Sequence, residues 1–189
     1  MRSISLFPFL FFILSVNGQE DFLAKQYFND GEYKKAIVFY ENLVTDNPRR
    51  TDYVENLIAC YQQLERYHSA DSLLQRMVGM GNPFPPFFVE LGYNQTLQGK
   101  VENARLYYNR ALYKIEETPN FGYSVGLRFQ KYVLLDEALQ AFSRAMELNP
   151  QLDYNFYMAR IYGEQGNVEK MYQSYLTLVQ KGKTSKSNI

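Results

Sequence analysis

Tryptophan is absent from this 189-residue chain, and cysteine and histidine occur once each, as Cys60 and His68. A single cysteine excludes an intramolecular disulfide. One cysteine and one histidine also leave little for a nucleophile–base pair held by a third, orienting group, or for a zinc site assembled from several Cys and His ligands. The plain reading of Cys60 is a buried thiol, and of His68 a residue at a helix start. No cofactor, no metal and no catalytic residue is expected. Charge of one sign is lacking as well. The 20 Lys and Arg residues offset 20 Asp and Glu residues, so nothing draws the chain over long range to nucleic acid or to an anionic membrane. A long hydrophobic run is the last absence. The strongest, from Ile4 to Leu14, falls well short of the roughly 20 residues that cross a bilayer as a helix.

That run has a context. In MRSISLFPFLFFILSVNGQ, Arg2 precedes it and the small-residue stretch Val16-Asn17-Gly18 follows it. Basic, then apolar, then small is the order of a secretory signal peptide. Residues 1–18 are read as that peptide, with cleavage after Gly18 and no integral membrane span in the mature chain; the alternatives are an uncleaved anchor or a buried first helix. Cys60 lies far from the cleavage point, which closes the lipoprotein route. The expected location is therefore exported, in the periplasm or cell envelope of a bacterium. There the glycosylation sequon Asn94-Gln95-Thr96, which falls within a predicted helix, is expected to stay unmodified.

What the chain does have is aromatic residues, 17 Tyr and 14 Phe, and a period. Ala36, Ala70, Ala104 and Ala138 stand 34 residues apart, and Met171 follows after 33. Four positions after each comes a large residue: Tyr40, Leu74, Tyr108, Phe142 and Tyr175. Nine positions before come Tyr27, Tyr61, Gln95, Phe129 and Tyr162, and twelve before come the mostly small Ala24, Ile58, Gly92, Gly126 and Ala159. Apolar residues recurring at three and four make each interval two amphipathic helices, over about 20–29 and 33–46 in the first interval. No single pair hides its own apolar stripe, so pairs must stack, and about three or more are needed for stability.

This pattern resembles the tetratricopeptide repeat, whose signature is a 34-residue period of Leu-Gly, Tyr, Ala, an aromatic and Pro. The resemblance covers residues 20–180, with Pro48 and Pro150 closing two units in phase. It implies an all-α fold, a right-handed superhelical solenoid of about five antiparallel helix pairs. The solenoid would occupy residues 19–181, in units at about 17–50, 51–84, 85–118, 119–151 and 152–181. Residues 182–189 read as a flexible basic tail or the start of a continuation. Gly182-Lys183-Thr184-Ser185 imitates the end of a phosphate-binding loop, but Thr177 stands where the motif needs its first glycine, and no strand precedes it.

Three departures from the pattern carry expectations. Gly31, Gly99 and Gly166 occupy the turn between helices, whereas Glu65 and Val133 replace glycine there. Those two turns are expected to adopt another conformation, since a positive φ strains residues other than glycine. Gly122 and Gly126 each cost a helix roughly 1 kcal/mol relative to Ala, which makes theirs the expected loosest helix. Gln95 takes the place of a tyrosine, with Tyr93 in partial compensation.

The resemblance implies a non-catalytic scaffold or adaptor that binds other proteins, its first helices lining a concave groove for a peptide or a helix. Carried over unit by unit, the groove positions are Lys25, Phe28, Glu55, Gln62, Tyr93, Thr96, Tyr123, Gln130, Phe156 and Arg160. Tyr93, Tyr123 and Arg160 are the expected anchors, since Tyr and Arg are rich among binding hot spots. Packing on neighbouring helices is the competing role for the tyrosines. Some relatives clamp a C-terminal carboxylate of chaperones. The corresponding residues here are Asp21, Lys25, Asn56, Pro86 and Glu90, and only Asn56 matches, so no cochaperone role is expected. Two other readings stand beside the scaffold: the N-terminal docking module of a larger sensory or enzymatic envelope protein, and a glycan-binding module whose aromatic residues stack on sugars. The last helix, about 168–181, keeps Met171, Tyr175, Leu176 and Val179 where a solenoid end is ordinarily polar. Self-association or continuation is expected at that edge.

Overall fold

A computed structural model describes residues 19–180 and 182. The segment read as a signal peptide and residues 183–189 of the tail lie outside the described residues. Residues 19–29 form α1, followed by α2 (Tyr33–Asp46), α3 (Thr51–Gln63), α4 (Tyr67–Val78), α5 (Pro86–Leu97), α6 (Val101–Glu117), α7 (Phe121–Lys131), α8 (Leu135–Leu148), α9 (Asn155–Glu164) and α10 (Val168–Gln180). No strand occurs among the described residues. None of their helices is long and apolar enough to cross a membrane. The chain forms two compact units, Met1–Leu74 and Gln75–Ile189, with the boundary inside α4.

The turn within each helix pair is built once and used five times. At the end of α1, Gly31 takes φ +73°; its N–H bonds the Phe28 carbonyl at 3.1 Å, and the Glu32 N–H bonds the Tyr27 carbonyl at 2.8 Å. This is the Schellman cap, which satisfies two of a helix's orphan carbonyls with a left-handed residue just past its end. The same two bonds recur at Gly99 and Gly166. They recur too at Glu65 and Val133, whose φ angles are 57° and 59°. The expectation of a different turn at these two residues is therefore corrected. The cap's two hydrogen bonds outweigh the roughly 1–2 kcal/mol that a left-handed L-residue costs. The outer bond also explains the tolerance of Gln95. In all five caps the register of Tyr27 supplies a backbone carbonyl, and a backbone acceptor does not depend on the side chain.

Within the unit ending at Leu74, Ala24 and Ala36 are fully buried and let α1 and α2 approach closely. Tyr40 fills the space beside them, also fully buried, while Tyr27 stacks on Phe39 with ring centroids 5.6 Å apart. Cys60 on α3 is buried without exposure, and burial pushes its thiol up to about 12.

In the unit beginning at Gln75, α5 is a largely buried helix. Almost every residue from Pro86 to Gln95 is buried, the polar Glu90, Asn94 and Gln95 included. Its sequon residue Asn94 is fully buried. Gly92 lies against the ring of Tyr108, where a Cβ would collide with ring carbon. Gly126 of α7 meets Phe142 in the same way, and Gly122 meets Ala145 and the carbonyl of Ala141. These glycines are thus contact points between helices. The close approach lets the rings of Tyr108 and Phe142 take the volume a side chain would have used. Where the small position instead holds Ile58, the large one holds Leu74.

Candidate interaction surface

The first helices of successive pairs, α1, α3, α5, α7 and α9, carry the ten groove positions. In the unit ending at Leu74, Lys25 donates to Asp21 Oδ2 at 2.8 Å one turn earlier. Phe28 is half-buried, edge-on to Tyr33 and Tyr40 at 5.7 and 6.3 Å. Glu55 and Gln62 are half-buried on α3. Across the same first-helix face, Asn56 donates to the Tyr40 hydroxyl at 3.0 Å.

In the unit beginning at Gln75, the positions divide. Tyr93 lies flat on Tyr132, centroids 3.7 Å apart and planes within 13°. Thr96 bonds the Gly92 carbonyl and the Tyr108 hydroxyl. Gln130 is half-buried near the end of α7. Tyr123 and Phe156, by contrast, are 41% and 46% exposed. The hydroxyls of Tyr123 and Tyr157 lie 3.1 Å apart, and their rings meet edge-on at 5.3 Å. Tyr157 also packs edge-on to Phe156 and stacks on the buried Phe142 at 5.5 Å. Tyr123 stacks on Tyr154 at 6.0 Å. The hydrogen bond with Tyr123, with burial behind it, raises the Tyr157 phenol above its ordinary range. The exposed rings of α7 and α9 therefore rest on a layer of packed rings. Arg160 is exposed one turn beyond Phe156 on α9.

A second cluster, between α5 and the end of α7, carries no signature in the sequence. Glu90 of α5 is 1% exposed. It receives the Arg128 guanidinium, the Tyr132 hydroxyl at 2.5 Å and, more distantly, the Lys131 ammonium at 3.4 Å. Three donors from α7 and the residue after it thus converge on one buried carboxylate. Burial, then the adjacent Glu90 charge, holds the Tyr132 phenol well above its ordinary range. Among the described residues, no group of three or more His, Cys, Asp or Glu gathers to hold a metal ion.

No family model matches the chain. It is 25% identical over 125 residues to the general transcriptional corepressor trfA of Dictyostelium discoideum. The match covers 65% of this chain but only 9% of the corepressor's length. Among solved structures it is similar to MamA, at 16% identity and TM-score 0.43, over 84% of this chain and 94% of that one. It is also similar to TTC0263, a thermophilic TPR protein in Thermus thermophilus, at 15% identity and TM-score 0.48, over 87% and 90%. For YrrB, a TPR protein with an unusual peptide-binding site, the values are 22% identity and TM-score 0.38, over 80% and 78%. Five equal caps at intervals of 34, 34, 34 and 33 residues decide the architecture. The fold is a tetratricopeptide-like helical repeat.

In that repeat, Tyr157 and Glu90 occupy one register, with Phe22, Asn56 and Ser124. Asn56 reaches Tyr40 of the preceding helix pair, and Tyr157 reaches Phe142 and Tyr123 of the pair before its own. At Asn56 and Tyr157 this register grips the preceding helix pair, whereas Glu90 takes its donors from the following one. Its chemistry varies from amide to carboxylate to phenol, so no residue type marks it, and the period alone could have found it.

Proposed function

We propose that the chain is a protein-interaction scaffold that holds an extended polypeptide segment against α7 and α9. The observation that carries this reading is the braced shelf: Tyr123 and Phe156 are exposed while the rings beneath them are packed. Rings already fixed in place lose little freedom when a partner covers them, and aromatic anchors beside an arginine are the composition of binding hot spots. Arg160 supplies the arginine. Tyr93 and Thr96 serve instead to pack the repeat. The exported, envelope location belongs to the same proposal and rests on the order of residues in 1–18. The test replaces Phe156 in the native cell by a photo-crosslinking amino acid, with Tyr113 on the exposed side of α6 as the control position. A discrete polypeptide crosslinked from position 156 and not from 113 supports the reading. Crosslinks to glycan, or an equal pattern from both positions, would overturn it. The second reading, a docking module within a longer chain, is favoured by the likeness to a short stretch of a much longer corepressor. It is tested by the mass of the native polypeptide.

A further inference from the structure

The register in which Asn56 and Tyr157 grip the preceding pair is occupied at both ends of the described repeat. On α1 it holds Phe22, which is 66% exposed. Two of the equivalent residues further on engage the preceding pair: Asn56 donates to the Tyr40 hydroxyl at 3.0 Å, and Tyr157 stacks on Phe142 at 5.5 Å; Glu90 instead binds Arg128 of the following pair, and Ser124 bonds the Phe121 carbonyl of its own helix. Their targets share a register too, the large residue four places after the small one, and in the last pair that residue is Tyr175 of α10. Tyr175 is half-buried. Around it, Val168, Tyr172 and Leu176 form a stripe at four-residue spacing, each more than half exposed. The corresponding stripe on α8, Leu135, Leu139 and Ser143, is half-buried. One end of the repeat thus presents the gripping residue, and the other presents the surface that such a residue grips inside the chain.

We propose that a second copy of this chain docks head to tail, Phe22 of its α1 seating on the α10 stripe around Tyr175. The occupant is a second copy because the contact continues one the chain already makes twice within itself, at Asn56 on Tyr40 and at Tyr157 on Phe142. The two surfaces differ, so the contact is heterologous. Each docked copy leaves one edge of either kind open, and assembly grows past a dimer unless the rotation closes a ring.

The experiment uses the purified full chain and two charge variants at well-exposed positions, Phe22→Glu and Leu176→Glu. Each is first shown by circular dichroism to keep the parent's helicity. Sedimentation velocity of the parent is expected to show mass rising with concentration beyond the dimer. Each variant alone lacks one edge and is expected to remain a monomer. An equimolar mixture of the two regains a single intact contact, between Phe22 of the Leu176→Glu chain and α10 of the Phe22→Glu chain, and is expected to stop at a dimer. A parent that stays monomeric, a variant that assembles like the parent, or a mixture that stays monomeric while the parent assembles would each overturn the proposal.

Discussion

Arg128 places its guanidinium on Glu90, a carboxylate buried to 1% exposure, and so ties α7 to the buried helix α5. A buried pair of this kind adds little net stability over apolar residues of the same size, but breaking it leaves an uncompensated charge. Glu90→Ala is expected to lower the stability of the fold by about 3–5 kcal/mol, because Arg128 and the Tyr132 hydroxyl both lose their acceptor. The double replacement Glu90→Leu with Arg128→Leu is expected to recover most of that loss. Urea unfolding of the single and double variants, read as a mutant cycle, measures the coupling. A Glu90→Ala variant as stable as the parent would show that water replaces the carboxylate at no cost.

Gly126 gives a prediction opposite in sign to helix propensity. Alanine gains roughly 1 kcal/mol over glycine in a helix interior, but a Cβ at this position would stand 2.5 Å from the Phe142 ring. That ring is fully buried and stacked on Tyr157, so it has little room to withdraw. Gly126→Ala is expected to destabilise by about 1–3 kcal/mol, the usual cost of an overpacked core. A thermal melt checks the sign directly, and a rise in Tm would sink the argument.

Val133 carries the reverse case. It sits at φ +59° and is 74% exposed, so its side chain adds strain without adding much packing. Val133→Gly is expected to stabilise by about 0.5–1 kcal/mol, the relief of a left-handed β-branched residue less glycine's entropy in the unfolded chain. Gly99→Val, at φ +72°, is expected to move stability the other way. Denaturant midpoints for the two variants should shift in opposite directions.

Tyr40 sets an alkaline limit. Burial pushes its phenol up to about 12 from an ordinary value of 10.0. Below pH 10 both folded and unfolded states hold the proton, and the full stability is present. As pH rises from 10 to 12 the unfolded chain ionises first, so stability falls, by about 2–3 kcal/mol from this group. Tyr40→Phe cannot ionise and is expected to lose less stability across that window, although it forgoes the bond from Asn56 at neutral pH. Urea titrations at a series of pH values from 9 to 12 test the difference in slope.

The helices were legible because the signal is periodic. Tyr33–Asp46 has the ends expected of the second helix, and the five caps fall at the residues where the period places them. The turns at Glu65 and Val133 were not, because the rule against positive φ is local while the cap is held by bonds to carbonyls five residues back. The packing role of the α7 glycines was not legible for a similar reason. Propensity counts what glycine costs its own helix, and Gly122 and Gly126 act on Ala145 and Phe142 of α8. At the surface, the register placed Tyr123 and Phe156 on one exposed shelf. It could not separate them from Tyr93, whose face is covered by Tyr132. Tyr132 lies after the end of α7, outside the positions of the repeat signature.

Cys60 gives the chain a clock of its own. Enclosed on α3 and held as the neutral thiol, it is poorly nucleophilic while its unit is closed. A thiol reagent can capture it only during the openings that expose α3. The pace of labelling then counts those openings in the unmodified chain, with no probe to introduce and no second thiol to confuse the trace.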